Sequence, residues 1–397
     1  MASSDLSPRQ STVRLLPDPN RVLQHWQDQL WSEEQLFTQS AHFFQSMMEG
    51  IDSAAESIIL ATYIFDWDIL GQQVVHHLGN ARARGVDIRV LLDGVGSMQG
   101  AEQVIKALTR FDIAVRIYHP LPWQRENYRY ALRRGSWIGN FITCLLKINQ
   151  RHHAKLCIVD RAQLWSGSQN ISASHLDKSS GGQGWHDYGI KVRGNAVDKA
   201  AQLFDDLWNY RKPKLGRGLF DHYWNNLSAI TRQQKNHLLA KKIASAKHTV
   251  WIINPYFSPT RTIIRALRTA SAAGVDVRII VPNQSDIDFF PLLTATYYDE
   301  LIKSSVRIFE YLPSILHAKL LLVDEFRLIG STNLNHRSLL HDLEFDIVLE
   351  SDAVIAQTKE QFLIDQQQCR EITRDDVALF GWRRLLGWLP WLLRYWL

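Results

Sequence analysis

The chain repeats itself, and this duplication constrains its fold more than any other feature. Three apolar segments recur in the same order in both halves. The pairs are 59–65 (ILATYIF) with 251–257 (WIINPYF), 85–92 (GVDIRVLL) with 274–281 (GVDVRIIV), and 153–160 (HAKLCIVD) with 317–324 (HAKLLLVD). Amphipathic, helix-like stretches precede the second segment of each half, and a strand–helix–strand order indicates α/β units with a largely parallel sheet. We therefore predict an α/β protein with two pseudo-symmetric α/β domains.

The repeats also set the expected domain limits. We expect an N-terminal segment at 1–35, a first domain at 36–212, a second domain at 219–378 and a tail at 379–397, with a Pro-, Gly- and Lys/Arg-rich linker near 211–218. The halves differ in one place, because His153 lies much further beyond Val115 than His317 lies beyond the matching Val306. The first half therefore carries an insert at 121–150, which mixes arginines with aromatic residues.

The third repeated segment carries reactive side chains. In each half His-x-Lys-x4-Asp is followed by Gly-Ser-x-Asn. Residues two apart on a strand project from the same face, so His153 and Lys155 are expected to face one phosphate, as are His317 and Lys319. The two pairs would supply one active site.

Two aspartates complete the motifs. The predicted catalytic constellation is His153, Lys155, Asp160, His317, Lys319 and Asp324. Asp160 stands an odd number of positions from His153, so its side chain should leave the opposite face of the strand. We expect Asp160 and Asp324 to fix neighbouring elements rather than to contact phosphate.

The Gly-Ser-x-Asn sequences are expected to return to the same pocket. A tight turn after the first motif would bring Asn170 opposite His153, and the second copy would fold back in the same way. The residues predicted to bind substrate through neutral donors are Ser168, Asn170, Ser331 and Asn333. Each half would then build half of one anion pocket.

Two such halves supply the groups that exchange of a phosphodiester requires. One histidine attacks phosphorus and forms a phosphohistidine, and the other protonates the leaving alkoxide and deprotonates the incoming hydroxyl. The lysines and asparagines would stabilise the charge of the transition state. We expect no metal and no cofactor, because two lysines supply the positive charge and the sequence has no evident carboxylate cluster.

Each histidine also needs an acceptor for its second ring nitrogen, which fixes its tautomer. The candidates are Asp187 and Glu344, each of which follows the histidine of its own half at the start of a further apolar strand. An ordinary carboxylate at a strand end is the alternative for either residue.

The duplicated motif resembles the phospholipase D superfamily over about 58–350. The stretches that are similar to bacterial cardiolipin synthases are 62–71 (TYIFDWDILG), 91–97 (LLDGVGS), 185–194 (WHDYGIKVRG), 254–259 (NPYFSP), and 330–339 (GSTNLNHRSL) with the following LEFD. The resemblance implies two α/β/α sandwich domains that share one active site. It further implies transfer of a phosphatidyl group to phosphatidylglycerol, with His153 as nucleophile and His317 as acid/base.

Other reactions remain open at this stage. With water or another alcohol as acceptor, the same pocket would serve a phospholipase D-type hydrolase or a different phosphatidyltransferase. A nuclease is the alternative from another substrate class, because nucleic acid is also an anionic phosphodiester. A Trp-rich tail and a mixed insert speak against it, so we expect no nucleic-acid partner. The sequence predicts no oligomeric state.

Charge and apolar patterning favour a membrane surface as partner. The net charge of +5 suits an anionic partner, and the three cysteines are too few for a disulfide framework, as in a reducing cytoplasm. The sequence shows no signal peptide and no run long enough to span a bilayer, as in the shorter members of the synthase group. The insert at 121–150 suits anionic headgroups, with a lid packed on the core as the alternative.

The last residues, 381–397 (GWRRLLGWLPWLLRYWL), hold four of the 14 tryptophans. As a helix they would place arginines on one side and leucines on the other, the pattern of a helix in a membrane interface, although Pro390 would interrupt it. Cover for a groove on protein is the alternative. We expect an enzyme acting on phospholipid, peripheral on the cytoplasmic face of the bacterial inner membrane.

Overall fold

The structure is a computed structural model, and it describes residues 31–121, 123–132, 138–139, 141–142, 149–210, 223–226, 229–379 and 386. The expected linker at 211–218, nearly all of the expected tail at 379–397 and part of the insert at 121–150 lie outside the described residues. Of the insert, a 3₁₀ helix at Arg125–Tyr130 is described.

The first half forms a seven-stranded mixed sheet. Its strands are β1 (Glu33–Phe37), β2 (Ser57–Thr62), β3 (Asp87–Asp93), β4 (Ala114–Tyr118), β5 (Leu156–Val159), β6 (Gln163–Gly167) and β7 (Gly189–Arg193). Their order across the sheet is β1-β7-β6-β5-β2-β3-β4. The expected boundary between residues 35 and 36 falls inside β1, which pairs with β7 over its whole length.

The second half forms an eight-stranded sheet with the same central order. Its strands are β8 (Tyr223–Asn225), β9 (Thr249–Ile253), β10 (Asp276–Pro282), β11 (Arg307–Tyr311), β12 (Leu320–Val323), β13 (Phe326–Gly330), β14 (Phe345–Val348) and β15 (Cys369–Glu371). Their order is β15-β11-β10-β9-β12-β13-β14-β8. The strands β12 and β13 therefore match β5 and β6 of the first half.

Helices connect and cover these strands. Those of the first half are α1 (Ser40–Ser53), α2 (Ile69–Ala83), α3 (Ala101–Arg110) and α4 (Ala196–Trp208). Those of the second half are α5 (Ala229–Ala244), α6 (Arg261–Ala272), α7 (Phe290–Ala295), α8 (Tyr298–Ile302), α9 (His336–Leu340), α10 (Asp352–Gln367) and α11 (Arg374–Leu379). No helix among the described residues is both long and apolar enough to cross a bilayer.

The expectation of a largely parallel sheet was wrong. Only the strands joined through helices run parallel, namely β2, β3 and β4 in one sheet and β9, β10 and β11 in the other. The motif strands β5 and β12 are antiparallel to both of their neighbours. A short turn links β5 to β6 and β12 to β13, and a short turn can join antiparallel strands only.

The cores explain how two sheets come to share one site. The described residues form an outer core in each half, with α1, α2 and α3 against the first sheet and α5 and α6 against the second. A central core contains α4, α10 and side chains from both sheets, such as Ile59 and Ile347. Each sheet is thus covered by helices on both faces, and the inner faces of the two halves pack in one continuous core. This is the predicted pair of α/β/α sandwiches.

Candidate active site

The motif of each half is anchored on the backbone of the other half. The His153 amide donates to the Leu343 carbonyl at 2.9 Å, just before β14. In the pseudo-symmetric contact, the His317 amide donates to the His186 carbonyl at 2.8 Å, just before β7. Each motif histidine therefore lies beside the strand start that carries the carboxylate of the opposite repeat.

Glu344 of the second half holds His153 of the first half. The Nδ1 atom of His153 lies 3.0 Å from each carboxylate oxygen of Glu344. Two hydroxyls complete the arrangement, since Ser331 donates to Glu344 at 2.5 Å and Ser338 also donates to it. Glu344 is fully buried, so water does not compete for these contacts.

Asp187 of the first half holds His317 of the second half. The Nδ1 atom of His317 lies 2.7 Å from Asp187, which also accepts from Ser168 at 2.6 Å and from Nδ1 of His175 at 2.6 Å. The two predicted carboxylates therefore do meet histidines, but each meets the one from the opposite repeat. The pairing crosses the halves because the chain segments just before the motifs pair with the other half, His152 with Leu343 and Leu316 with His186.

These contacts set the protonation of both rings. A carboxylate on Nδ1 keeps the proton there and leaves the lone pair on Nε2, the form needed for attack on phosphorus. Burial, Lys155 and Lys319 together lower the pKa of His153 well below its ordinary value. Burial and Lys319 lower the pKa of His317 to about 3, against the opposing effect of Asp187.

The two motif lysines lie in the same electrostatic environment. The Nζ atoms of Lys155 and Lys319 donate to the carbonyls of His153 and His317, at 2.7 Å in both cases. Burial and the neighbouring Lys319 lower the pKa of Lys155 to about 7, and burial lowers the pKa of Lys319 to about 8. Because Lys319 also acts on His153, both halves contribute to one site. An anionic phosphate would relieve this excess of positive charge.

A tyrosine from each repeat stands over each histidine–lysine pair. The ring of Tyr63 lies 5.0 Å from the His153 ring and 5.4 Å from Nζ of Lys155. Tyr256 takes the matching place, with ring distances of 6.2 Å to His317 and 5.9 Å to Nζ of Lys319. Tyr63 lies two residues and Tyr256 one residue before the Phe that ends the first repeated segment, so the two tyrosines do not align in a residue-by-residue match of the repeats.

Asp160 and Asp324 have structural roles at the far ends of the motif strands. Asp160 accepts hydrogen bonds from the amides of residues 55, 56 and 57, at 2.8 to 2.9 Å. Asp324 accepts from the amides of residues 247, 248 and 249. Each carboxylate thus ties a turn to the start of β2 or β9. Their inclusion in the catalytic constellation is corrected, because both lie with positive φ in the turns that follow β5 and β12, at the ends of these strands away from the histidines and lysines.

The Gly-Ser-x-Asn serines also differ from the expected substrate contacts. Ser168 and Ser331 are completely buried. Each donates its only hydroxyl hydrogen to the carboxylate that also binds a motif histidine, Asp187 or Glu344. Their expected place on the phosphate is therefore corrected. Asn170 accepts from the Ile64 amide at 3.3 Å, whereas Oδ1 of Asn333 is buried without a hydrogen-bond partner.

His175 is a site residue that sequence reasoning missed. It follows Asn170 by the same interval at which Ser338 follows Asn333, and both residues contact the local carboxylate. Aligning the two repeats past Asn170 and Asn333, where their residues are no longer identical, would have identified His175 and Ser338 as equivalent positions. Within the described residues, His175, Asp187 and His317 also form a group with ligand atoms within 4.8 Å of one another. A cation there would have to displace the two Nδ1 protons that Asp187 already accepts.

The fold and the site define a protein of the phospholipase D superfamily, with two His-Lys motifs in one buried centre. The sequence family described as "Cardiolipin synthase, PLD-like domain" matches residues 47–208 and 239–365. The chain belongs to this family.

Relatives of known name agree with this assignment. Cardiolipin synthase 2 of Bacillus anthracis is 27% identical over 359 residues, which cover 87% of this chain and 66% of that protein. Cardiolipin synthase A of Pseudomonas entomophila is 29% identical over 359 residues, which cover 87% of this chain and 71% of that protein. The chain thus spans just under two thirds of the Bacillus relative.

Solved structures share the fold. Phosphatidylserine synthase from Haemophilus influenzae superposes with a TM-score of 0.70 at 15% identity, covering 95% of this chain and 99% of the other. Polyphosphate kinase from Porphyromonas gingivalis gives a TM-score of 0.56 at 11% identity, covering 84% of this chain and 50% of the other.

Proposed function

We propose that this chain is a cardiolipin synthase, an enzyme that transfers a phosphatidyl group to the free hydroxyl of phosphatidylglycerol. The observation that carries the proposal is the crossed pair of histidine–carboxylate contacts, His153 with Glu344 and His317 with Asp187, around two buried lysines. Two imidazoles held through Nδ1 and two ammonium groups suit an anionic phosphodiester, and Nζ of Lys319 lies 3.2 Å from Nε2 of His317. The membership of the family supports a phospholipid as the substrate.

In the first displacement, Nε2 of His153 attacks the phosphorus of the donor lipid. A P–N bond forms as the P–O bond to the headgroup breaks. The departing alkoxide takes a proton from Nε2 of a protonated His317. The products of this step are phosphatidyl-His153, a free alcohol and a neutral His317.

In the second displacement, a hydroxyl of phosphatidylglycerol replaces the departed alcohol. His317 removes the hydroxyl proton as its oxygen attacks phosphorus, and the P–N bond to His153 breaks. His317 returns to its protonated form and His153 to its neutral form, so atoms and charges balance over the cycle. The same residue serves first as acid and then as base.

The carboxylates support this division of labour. Burial raises the pKa of Glu344 to about 7, so its charge is only partly present near neutrality and His153 remains a neutral nucleophile. Burial alone would raise the pKa of Asp187, yet His175 and His317 outweigh it and hold that pKa well below its ordinary value. A fully ionised Asp187 favours the imidazolium that His317 must become once a phosphate is bound.

Lys155, Lys319, Asn170 and Asn333 are proposed to receive the phosphoryl oxygens. The lysines offer charge-assisted donors at both sides of the phosphorus, where negative charge grows in the transition state. No step in this scheme requires a metal or a cofactor. Asp187 and Glu344 act through the histidines and do not touch substrate.

We further propose that the protein works as a peripheral enzyme on an anionic membrane, at the cytoplasmic face of the bacterial inner membrane. Support comes from the amphipathic pattern at 381–397 and from the exposed Trp123 in the insert, whose side chain is 67% exposed. Tryptophan is enriched at membrane interfaces. The domain limits stated above are likewise proposed, with the start of the first domain moved forward to include all of β1.

Incubation with phosphatidylglycerol labelled in the phosphatidyl group tests the proposal. Formation of diphosphatidylglycerol with release of glycerol is expected, and its loss in His153→Ala and in His317→Ala. Phosphatidic acid as the sole product would assign a hydrolase instead. Cleavage of DNA without any lipid turnover would assign a nuclease, and either result would overturn the proposal.

A further inference from the structure

We propose that His175 is a positioning residue for the second catalytic histidine, holding Asp187 so that His317 can act as acid and base. This inference rests on the proposed two-displacement reaction. It assigns a role to a buried histidine that lies outside both repeated motifs.

The hydrogen bonds of His175 determine its tautomer. Its Nδ1 donates to Asp187 at 2.6 Å, and its Nε2 accepts from the backbone amide of Asn170 at 3.1 Å. A backbone amide can only donate, so Nε2 carries no proton. The residue is therefore a neutral imidazole with both nitrogens used, and it is only 2% exposed.

This arrangement excludes His175 as a third acid/base. To accept a proton at Nε2 it would have to lose the Asn170 amide, which would then be buried without a partner. What His175 can do is fix the second oxygen of Asp187, while the first oxygen binds His317 and Ser168. The carboxylate is thus held at both oxygens in one orientation.

The rings also pack together. The His175 ring lies 5.2 Å from the His317 ring and 5.1 Å from the Trp185 ring, and Trp185 lies 5.5 Å from His317. The rings of His175 and Trp185 thus both pack against the ring of His317. His175 therefore limits the ring of His317 sterically as well as through Asp187.

The second half has a hydroxyl where the first has this imidazole. Ser338 accepts from the Asn333 amide at 3.0 Å and donates to Glu344, so it repeats both contacts of His175. The relay from the motif asparagine to the carboxylate is thus present twice, once through an imidazole and once through a hydroxyl. Asp187 binds two imidazoles and Glu344 binds one, and this difference makes the two catalytic histidines inequivalent.

Three substitutions separate the hydrogen bonds from the packing. His175→Phe keeps a ring of similar size but removes both hydrogen bonds. His175→Gln offers an amide donor and an amide acceptor and should restore both. His175→Ser copies the second half and leaves a gap beside Trp185. Thermal melting of each variant checks that it folds.

Two substrates separate the steps. Phosphatidylglycerol has an alkoxide leaving group that needs a proton, whereas a 4-nitrophenyl phosphatidyl ester has a leaving group that departs without one. For His175→Phe we expect kcat with phosphatidylglycerol to fall about 10- to 100-fold at little changed KM. The burst of nitrophenol, which reports attack by His153, should stay within about threefold of the wild type.

The outcomes decide the matter. Recovery of most of the lost kcat in His175→Gln, with the burst preserved in all three variants, supports the positioning role. An equal loss with both substrates would indicate a general disturbance of the site, and an unchanged kcat with phosphatidylglycerol in His175→Phe would remove the role; each overturns the inference. Failure of the proposed function looks different, because the wild type itself would then form no diphosphatidylglycerol.

Discussion

His153 binds through its Nδ1 atom to Glu344, a residue 191 positions further along the chain, at 3.0 Å. Its counterpart His317 binds Asp187, 130 positions back, at 2.7 Å. The crossing follows from backbone pairing between the halves, at His152 with Leu343 and at His186 with Leu316. The site is therefore formed where the two halves meet, because each motif histidine is paired with the carboxylate of the other half.

The crossed contacts predict distinct effects for the two carboxylates. In Glu344→Gln, His153 loses its anionic partner. Ser331 and Ser338 both donate to Glu344, and in the variant one of the two would face the amide NH2, which cannot accept a hydrogen bond. We expect the burst with a 4-nitrophenyl phosphatidyl ester to slow on the order of 10²- to 10⁴-fold. Stopped-flow absorbance of nitrophenol measures it.

Asp187→Asn is the matched variant for the other histidine. The variant should preserve the nitrophenol burst with the 4-nitrophenyl phosphatidyl ester, because nitrophenolate departs without a general acid. Turnover of phosphatidylglycerol should fall by a factor similar to that expected for Glu344→Gln. The opposite pattern, with the burst lost only in Asp187→Asn, would mean that His317 is the nucleophile.

The lysines predict the alkaline side of the pH profile. Burial lowers the pKa of Lys155 to about 7 and that of Lys319 to about 8. Each ammonium is present below its pKa, so the form that binds phosphate is lost as pH rises through this range. We expect kcat/KM, measured from pH 6 to pH 10, to decline above about pH 7 to 8. A profile that stays level to pH 10 would contradict the proposed role of the lysines.

Asp160 predicts a change in stability without a change in chemistry. In Asp160→Asn the amide can keep the two backbone donors at Oδ1, but it loses the charge and the bond from Ala55. The carboxylate is partly exposed, so we expect the free energy of unfolding to fall by only about 1 kcal/mol. Three backbone amides lower the pKa of Asp160, although burial opposes them. This stabilisation is therefore present above the ordinary aspartate pKa and is lost as pH falls through the folded value.

Urea unfolding at pH 7 and at pH 3 measures this contribution, with kcat as the control. Wild type and Asp160→Asn should differ at pH 7, the difference should be smaller at pH 3, and kcat at pH 7 should be equal. A large loss of kcat in a folded Asp160→Asn variant would mean that Asp160 takes part in catalysis.

We predict that the tail at 381–397 contributes to binding of the protein to membrane vesicles. Its deletion should reduce co-sedimentation with vesicles containing phosphatidylglycerol, because the apolar and arginine-bearing sides would no longer enter the interface. Activity on detergent-dispersed lipid should remain. Equal sedimentation of the full chain and the deletion variant would assign this segment to contact with protein.

Much of the site could be predicted because it depends on local rules. Side-chain alternation along β5 indicated that Asp160 points away from His153, and the short link to β6 indicated the fold-back to the Gly-Ser-x-Asn sequence. The duplication indicated two α/β units. These inferences use spacing within one strand or one hairpin, which a sequence displays directly.

The rest depends on contacts between distant parts of the chain. Nothing local distinguishes whether Glu344 meets His153 or His317, since that depends on how two sheets pack. The serine hydroxyls could face either phosphate or carboxylate until Asp187 and Glu344 were placed. The sheets were expected to be largely parallel from their helical connections, although the tight turn predicted after each motif already requires antiparallel neighbours there.

The crossed histidine–carboxylate contacts also constrain how a single repeat could have worked before it was duplicated. A single ancestral repeat would have worked only as a symmetric pair of identical subunits, each lending its acid to its neighbour's imidazole. In a single chain the two acids are free to differ, and here Asp187 binds two imidazoles and one hydroxyl whereas Glu344 binds one imidazole and two hydroxyls.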